Sequence, residues 1–129
     1  MHCHLFDFQN DTSELLNQAN QGMLVSHHSY GIVIDNVPQA QFGKYTSQAT
    51  NWDNLTFNAP FLLPVISAGN DRNSGWNPSD NGYDILTGNN LAKNPLTVGA
   101  SVGNLNYTSP TSVPMSNFSS WGPADDGRV

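Results

Sequence analysis

The segment from Leu62 to Asn70 constrains the fold more than any other part of the chain. It is a short apolar run that ends in Ser67, Ala68 and Gly69, directly before the amide side chain of Asn70. An apolar run of this length, bounded by Pro and Gly, is typical of a strand covered on both faces, as in a parallel sheet flanked by helices. Ligands of such folds bind at the carboxyl ends of the strands. We therefore expect Asn70 at the edge of the sheet where chemistry takes place.

The residues at the end of this run have chemical properties that fit such a site. Asn70 offers an amide N–H that can stabilise a developing oxyanion, and Ala68 and Gly69 leave room for another backbone to approach. Taken alone, Ala-Gly-Asn indicates a turn-capping Asn more strongly than a catalytic one. The functional interpretation therefore depends on the other segments of the chain.

Helical and strand patterns alternate along the rest of the sequence. Capping residues at Asp11–Glu14 and a terminating Gly22 predict a first helix, and apolar spacing predicts a second helix from Gly43 to about Leu55. The predicted strands are Met23 to about Ser29, Phe61–Ser67 and Leu96–Ala100. This alternation predicts an α/β fold with a doubly wound, mainly parallel sheet. A polar loop from Asn70 to Leu91 is far longer than the usual connection of about 2 to 6 residues.

Composition excludes several classes of function. Only 11% of the 129 residues are charged and the net charge is −6, which argues against a nucleic-acid partner. No segment approaches the roughly 20 apolar residues of a membrane span, so no membrane partner is expected. The first eight residues have neither the basic start nor the apolar core of a signal peptide. Cys3 is the single cysteine, so no internal disulfide is expected.

Four segments, in order along the chain, carry a resemblance to a known family. They are Ser-His-His-Ser-Tyr-Gly at 26–31, Ser-Ala-Gly-Asn at 67–70, Ala-Lys-Asn-Pro-Leu-Thr-Val-Gly-Ala at 92–100 and Phe-Ser-Ser-Trp-Gly-Pro-Ala-Asp-Asp-Gly-Arg at 118–128. Together they resemble the subtilisin-like serine proteases, from about Phe6 to Val129. The resemblance implies a secreted bacterial endopeptidase that acts on polypeptide substrates, with a partial subtilisin-like α/β fold.

The strings that carry the family's catalytic triad do not occur in this sequence. These are Asp-Ser/Thr-Gly, His-Gly-Thr-His and Gly-Thr-Ser-Met-Ala, of which the first two precede and the last follows the matching segments. We therefore expect residues 1–129 to be a single partial catalytic domain, truncated at both ends between the catalytic His and Ser. Its partner would be the missing remainder of its own domain, and alone it would be inactive.

The resemblance also implies roles for individual residues. Asn70 would be the side-chain donor of the oxyanion hole. Ser29, Tyr30 and Gly31 would pair with an extended substrate, and the segment Ser67-Ala68-Gly69 would form a wall of the S1 pocket. Tyr30 stands where family members often have a small residue or Leu, so the S1 and S4 preferences stay open. The alternative is that both segments are only part of the sheet core.

Other patterns invite competing assignments. His27 and His28 lie beside Ser29, but strand alternation places His27 and Ser29 on one face and His28 on the other, which favours structural histidines. Residues 99–103 match the G-x-S-x-G elbow of α/β-hydrolases, yet the residues that follow are rich in helix breakers. The pair His2 and His4 offers too few ligands for a metal site.

No cofactor is required by the implied reaction, and no metal-binding residue is assigned. Many subtilases hold structural calcium, and Asp71, Asn73, Asp80 and Asp84 lie in the long loop, although a solvated polar loop is the preferred interpretation. Two alternative functions stay open: a non-catalytic secreted module that binds peptides or glycans, and a degenerate pseudoprotease. A binding module predicts a self-contained core, whereas a fragment predicts exposed apolar strand edges at 23–26 and 96–100.

Overall fold

Two helices and three parallel strands form the framework of the protein in the computed structural model, which describes residues 10–128. The helices are α1 (Asp11–Asn20) and α2 (Ser47–Asn58), and the strands are β1 (Val25–His28), β2 (Leu63–Ser67) and β3 (Leu96–Val98). This confirms the predicted α/β class. The N-terminal segment that contains His2, Cys3 and His4 lies outside the described residues. No helix within 10–128 is long and apolar enough to cross a membrane.

The first helix ends before Gly22 as predicted, but its N-cap is Asn10 rather than a residue of the segment Asp11–Glu14, and no side chain caps it. The backbone carbonyl of Asn10 accepts hydrogen bonds from the Ser13 hydroxyl at 2.8 Å and the Glu14 N–H at 3.1 Å. At the other end Gly22 has a φ of 100°, and its N–H donates to the Ala19 carbonyl. Glycine adopts this left-handed conformation at little cost, which is why it terminates the helix.

The sheet has the strand order β1-β2-β3, with β2 in the centre and both pairs parallel. In the register, Val25 of β1 lies opposite Leu63, and Val98 of β3 lies opposite Ser67. Within residues 10–128 both outer strands are free edges that carry exposed apolar side chains, including Val25 and Val98. This is the feature that the fragment interpretation predicts for both strands.

Both helices cover the same face of the sheet, which we call the covered face. Ile66 of β2 is fully buried there, in one core cluster with Leu15 of α1 and with Trp52 and Leu55 of α2. On the opposite, open face Leu63 is 42% exposed, while Val65 and Ser67 are partly exposed. The expectation that β2 is covered on both faces is therefore wrong for the described residues, because both helices lie on one side.

The long loop between β2 and β3 is anchored by Trp121. The Tyr83 ring stacks on the indole at a centroid distance of 4.2 Å, and the guanidinium of Arg72 lies 4.2 Å from the indole centroid. The indole N–H donates to the Gly82 carbonyl at 3.0 Å. Three contacts along the loop thus converge on one side chain, so the loop is held against the protein rather than freely solvated.

Candidate functional site

The carboxyl ends of β1 and β2 enclose a cleft of about 280 Å³, which we call the strand-end cleft. Ser29, Tyr30 and Gly31 continue from β1 along one wall, and the segment from Ser67 to Asn70 forms the facing wall. Parallel neighbours place their carboxyl ends at the same edge of a sheet. The structure thereby brings together all seven candidate site residues named from the sequence.

Asn70 is exposed and borders two cavities at once. It lines the strand-end cleft and also a hollow of about 210 Å³ that extends toward Gly99 and Ala100. No hydrogen bond among residues 10–128 involves its side chain. The amide N–H is therefore available to a group bound in either cavity.

The backbone on both sides of Asn70 is fixed by Ser120. The Ser120 N–H donates to the Gly69 carbonyl at 3.0 Å, and the Ser120 hydroxyl accepts from the Asp71 N–H at 3.1 Å. Gly69 has a φ of 102°, and a Cβ placed on it would lie 3.1 Å from the Ser120 hydroxyl oxygen. Both the backbone conformation and the close approach therefore favour glycine at this position.

Ala68 is held by contacts that the sequence does not reveal. Its N–H donates to the Val98 carbonyl at 2.9 Å, and its carbonyl accepts from the Asn90 side-chain amide at 3.1 Å. Asn90 is positioned in turn by the Thr97 hydroxyl, which donates to the Asn90 carbonyl at 3.0 Å. Asn90 also lines the strand-end cleft. It was not singled out from the sequence, because only the folded loop brings it to the end of β2.

His27 and Ser29 lie on one face of the strand and His28 on the other, as alternation predicts. The Ser29 hydroxyl oxygen is 2.8 Å from Nε2 of His27, and both side chains are exposed. Among the described residues, no carboxylate hydrogen-bonds to the His27 ring. The pair therefore lacks the third group that orients the base in a serine triad.

The buried His28 belongs instead to a partly buried chain of hydrogen bonds. Its ring nitrogen Nδ1 is 2.7 Å from the Tyr30 hydroxyl, which donates to Asp11 Oδ2 at 2.8 Å. Burial lowers the pKa of His28, and burial together with the bond to Asp11 raises the pKa of Tyr30. The Tyr30 side chain is thus tied to α1, while its backbone borders the strand-end cleft.

Tyr30 and Gly31 also border a third cavity, of about 460 Å³, on the side of the helices. Asp11 of α1 and the α2 residues Gln48 and Trp52 contribute to its lining. Tyr30 and Gly31 therefore lie between two cavities. Within residues 10–128, no backbone-to-backbone hydrogen bond outside the sheet ladder engages Gly31.

The rival elbow at 99–103 lacks the element that its chemistry requires. Ser101 forms an isolated antiparallel bridge with Met115, and the next helical turn begins only at Pro110. A nucleophile elbow needs a helix directly after the serine. The structure thus does not favour a hydrolase nucleophile at Ser101.

The acidic residues of the long loop do not form one site. Asp80 and Asp84 lie with Asp125 around a shallow depression, whereas Asp71 lies beside Ser120. Burial and the neighbouring Asp125 carboxylate raise the pKa of Asp84 to about 6. No group of three or more His, Cys, Asp or Glu side chains within 10–128 is placed to hold a metal ion. Asp71 is therefore separated from Asp80 and Asp84 among the described residues.

Comparison with models of known protein families gives a match over nearly the whole chain. The model described as "Subtilase family" matches residues 6–129. Searches of curated proteins and of solved structures find no match.

Proposed function

Because this chain belongs to the subtilase family, we propose that it contributes the oxyanion donor and the substrate-binding walls of a serine endopeptidase. Peptide bonds would be hydrolysed through an acyl-enzyme by a serine that His and Asp activate. The triad would be supplied by segments outside residues 1–129, and these residues alone would be inactive. The reaction uses only protein groups and water.

The observation that carries this proposal is the position of Asn70 at the mouth of two cavities. Its amide is exposed and makes no hydrogen bond with other described side chains or backbone. The negative charge of a tetrahedral intermediate develops on the former carbonyl oxygen, and a fixed N–H donor lowers the energy of that state. Asn70 would supply this donor to a scissile carbonyl bound in the strand-end cleft.

The two walls of the cleft would bind the substrate. An extended peptide pairs with backbone groups at a sheet edge, and its alternate side chains point to opposite sides. Ser29, Tyr30 and Gly31 would provide this edge, and Tyr30 and Gly31 have a cavity on either side of them. The small residues Ser67, Ala68 and Gly69 would form the facing wall of the S1 pocket.

The open face of the sheet supports the proposal that more of the same domain packs here. Val25, Leu63 and Val98 are exposed large apolar residues on neighbouring strands, and contiguous apolar patches of this kind mark contact surfaces. A self-contained binding module would be expected to cover them. We propose polypeptide substrates and secretion for the intact protease, with no nucleic-acid or membrane partner.

The first test is to sequence the gene through both ends of this reading frame. We expect Asp-Ser/Thr-Gly and His-Gly-Thr-His upstream and Gly-Thr-Ser downstream. In-frame stop codons on both sides, or substituted triad positions, would contradict an active protease and favour a binding module or a pseudoprotease.

The second test is the Asn70→Ala substitution in the full-length protein. We expect kcat on a peptide substrate to fall about 10²–10³-fold with little change in KM, a magnitude taken from the loss of such a donor in subtilisin, a member of this family. Asn73→Ala is the matched control, because Asn73 is an exposed Asn in the same loop. A kcat of Asn70→Ala within about twofold of the wild type would refute the oxyanion role.

A further inference from the structure

Two consecutive serines connect the carboxyl ends of β2 and β3. Ser119 and Ser120 are each only 1% exposed, although serine side chains usually face solvent. The Ser119 hydroxyl accepts a hydrogen bond from the Ala100 N–H at 2.9 Å, whereas the Ser120 hydroxyl accepts from the Asp71 N–H at 3.1 Å. Each buried hydroxyl thus satisfies one backbone N–H just beyond the end of a strand.

Ser120 holds the chain on both sides of Asn70. Its N–H donates to the Gly69 carbonyl and its hydroxyl accepts from the Asp71 N–H, so the residues before and after Asn70 bond to the same buried residue. The next residue is fixed similarly, since the Arg72 N–H donates to the Phe118 carbonyl at 3.2 Å and its guanidinium to the Asn117 carbonyl at 3.0 Å. The side chain of Asn70, by contrast, has no such partner among the described residues.

We propose that Ser120 is a positioning residue that holds the Asn70 amide where the oxyanion develops. This inference rests on the proposed function of Asn70. An oxyanion donor acts only if its backbone is fixed before the reaction, because a displacement of about 1 Å can cost about 10²-fold in rate. Nothing within residues 10–128 orients the Asn70 side chain directly, so its position depends on the backbone that Ser120 fixes.

Ser119 is the natural control for this role. It has the same burial and also accepts one backbone N–H, but that N–H belongs to Ala100, after β3. Its hydroxyl also donates to the Ser120 carbonyl at 3.3 Å. Removal of either hydroxyl should therefore lower stability, because each leaves one partly buried N–H without its acceptor, and Ser119→Ala also removes the bond to the Ser120 carbonyl. Only the removal of the Ser120 hydroxyl should disturb Asn70.

The experiment is a double-mutant cycle on kcat in the full-length protease, with Ser120→Ala, Asn70→Ala and both together. We expect Ser120→Ala to lower kcat about tenfold and to change KM less than about twofold. In the Asn70→Ala background we expect Ser120→Ala to lower kcat less than about twofold, since no donor is left to misplace. Ser119→Ala should lower the unfolding temperature at least as much as Ser120→Ala does, without this coupling to Asn70.

The outcomes separate the two proposals. An unchanged kcat in Asn70→Ala overturns the proposed function itself. A loss in Asn70→Ala, with Ser120→Ala either inert or equally harmful in both backgrounds, overturns only the positioning role. Equal coupling of Ser119→Ala to Asn70 would also overturn it, because the effect would then come from general packing. If Ser120→Ala does not fold, Ser120→Cys serves instead, since a thiol is a weak acceptor of nearly the same shape.

Discussion

The two faces of the sheet differ sharply, although the same three strands form both. His27 and His28 are neighbours in β1, yet His28 is fully buried on the covered face while His27 is exposed on the open face. On the covered face His28 bonds to Tyr30 and lies edge-on to Trp52, with ring centroids 4.8 Å apart. The strand alternation determines which face each residue takes, and the helices determine which face becomes a core.

The residues that stabilise the fold and the residues of the candidate site lie in different parts of the sheet. The covered face holds the helices and the partly buried polar chain from Asp11 to His28, whereas the candidate catalytic groups lie at the strand ends. The open face carries apolar side chains that residues 10–128 do not cover. A substitution on the covered face should therefore lower the free energy of unfolding more than one on the open face.

The largest effect is expected from truncation of the central strand on its covered face. Ile66→Ala should lower the free energy of unfolding by about 3 kcal/mol, because Ile66 is fully buried in the main core. Val65→Ala, one residue away on the open face, should cost less than about 1 kcal/mol. Urea unfolding of the 129-residue chain and of the two variants measures both values. Equal losses of unfolding free energy in the two variants would show that the open face is covered in solution, and the two faces would then not differ.

The second effect concerns the attachment of α2, which forms much of the cover. Asp53 accepts hydrogen bonds from the Lys93 and Asn94 N–H groups at 2.8 and 2.9 Å and from the Tyr45 hydroxyl at 2.6 Å. Asp53→Ala should cost about 2 kcal/mol, since these donors lose a charged acceptor.

The comparison variant is Asp53→Asn, which keeps one carbonyl acceptor and should recover part of that loss in the same urea titration. An unfolding free energy of Asp53→Ala within about 0.5 kcal/mol of the wild type would show that α2 is held by its apolar contacts alone.

The two neighbouring histidines provide the third prediction, which is a pH dependence. Burial lowers the folded-state pKa of His28 below its usual 6.5, so below pH 6.5 the unfolded chain takes up a proton before the native state does. His28 therefore contributes stability above pH 6.5 that is lost as the pH falls. We expect His28→Gln to remove part of the loss between about pH 7 and pH 5, and His27→Gln to remove less of it, because it takes away only the neighbouring charge that helps to lower the His28 pKa. The measurement is the unfolding temperature of each variant at pH 7 and pH 5. Identical pH dependences for the two variants would contradict the prediction.

Local signals were sufficient to predict the elements but not their boundaries or partners. Gly22 and the acidic first turn predicted α1, whereas α2 begins at Ser47 rather than near Gly43. Gly43 has a φ of 69° and its N–H bonds to the Leu86 carbonyl, so contacts from the long loop keep it out of the helix. Such contacts depend on residues that are distant in sequence.

In the candidate site, too, local signals predicted some features, whereas contacts between distant residues could not be predicted. The sequence placed Asn70 and the two walls of the cleft at strand ends, because apolar runs and small residues mark those ends locally. Ser120 contacts the Asn70 loop across 49 residues, and no local pattern indicates that bond. The uncovered face of β2 was missed because an apolar run shows that a strand can be buried, but not which of its faces a helix reaches.

The last prediction concerns Asp84, which lies against the segment that leads into α2. A Cβ on Gly43 would overlap the Asp84 carboxyl group, and the Asp84 pKa is raised to about 6 by burial and by Asp125. Between pH 3.8 and about 6 the native state holds a proton that the unfolded chain has released. The contribution of Asp84 is thus fully present below pH 3.8 and is lost as the pH rises through 6, the opposite sign to His28.

Asp84→Asn keeps a neutral side chain at every pH and should therefore gain stability relative to the wild type between about pH 4 and pH 7. Solvent screens this partly exposed carboxyl group, so we expect the gain to be smaller than the raised pKa alone would give. The measurement is urea unfolding in the presence of EDTA, with Asp35→Asn as an exposed control that should show no such gain. The prediction is wrong if the two variants have the same pH dependence.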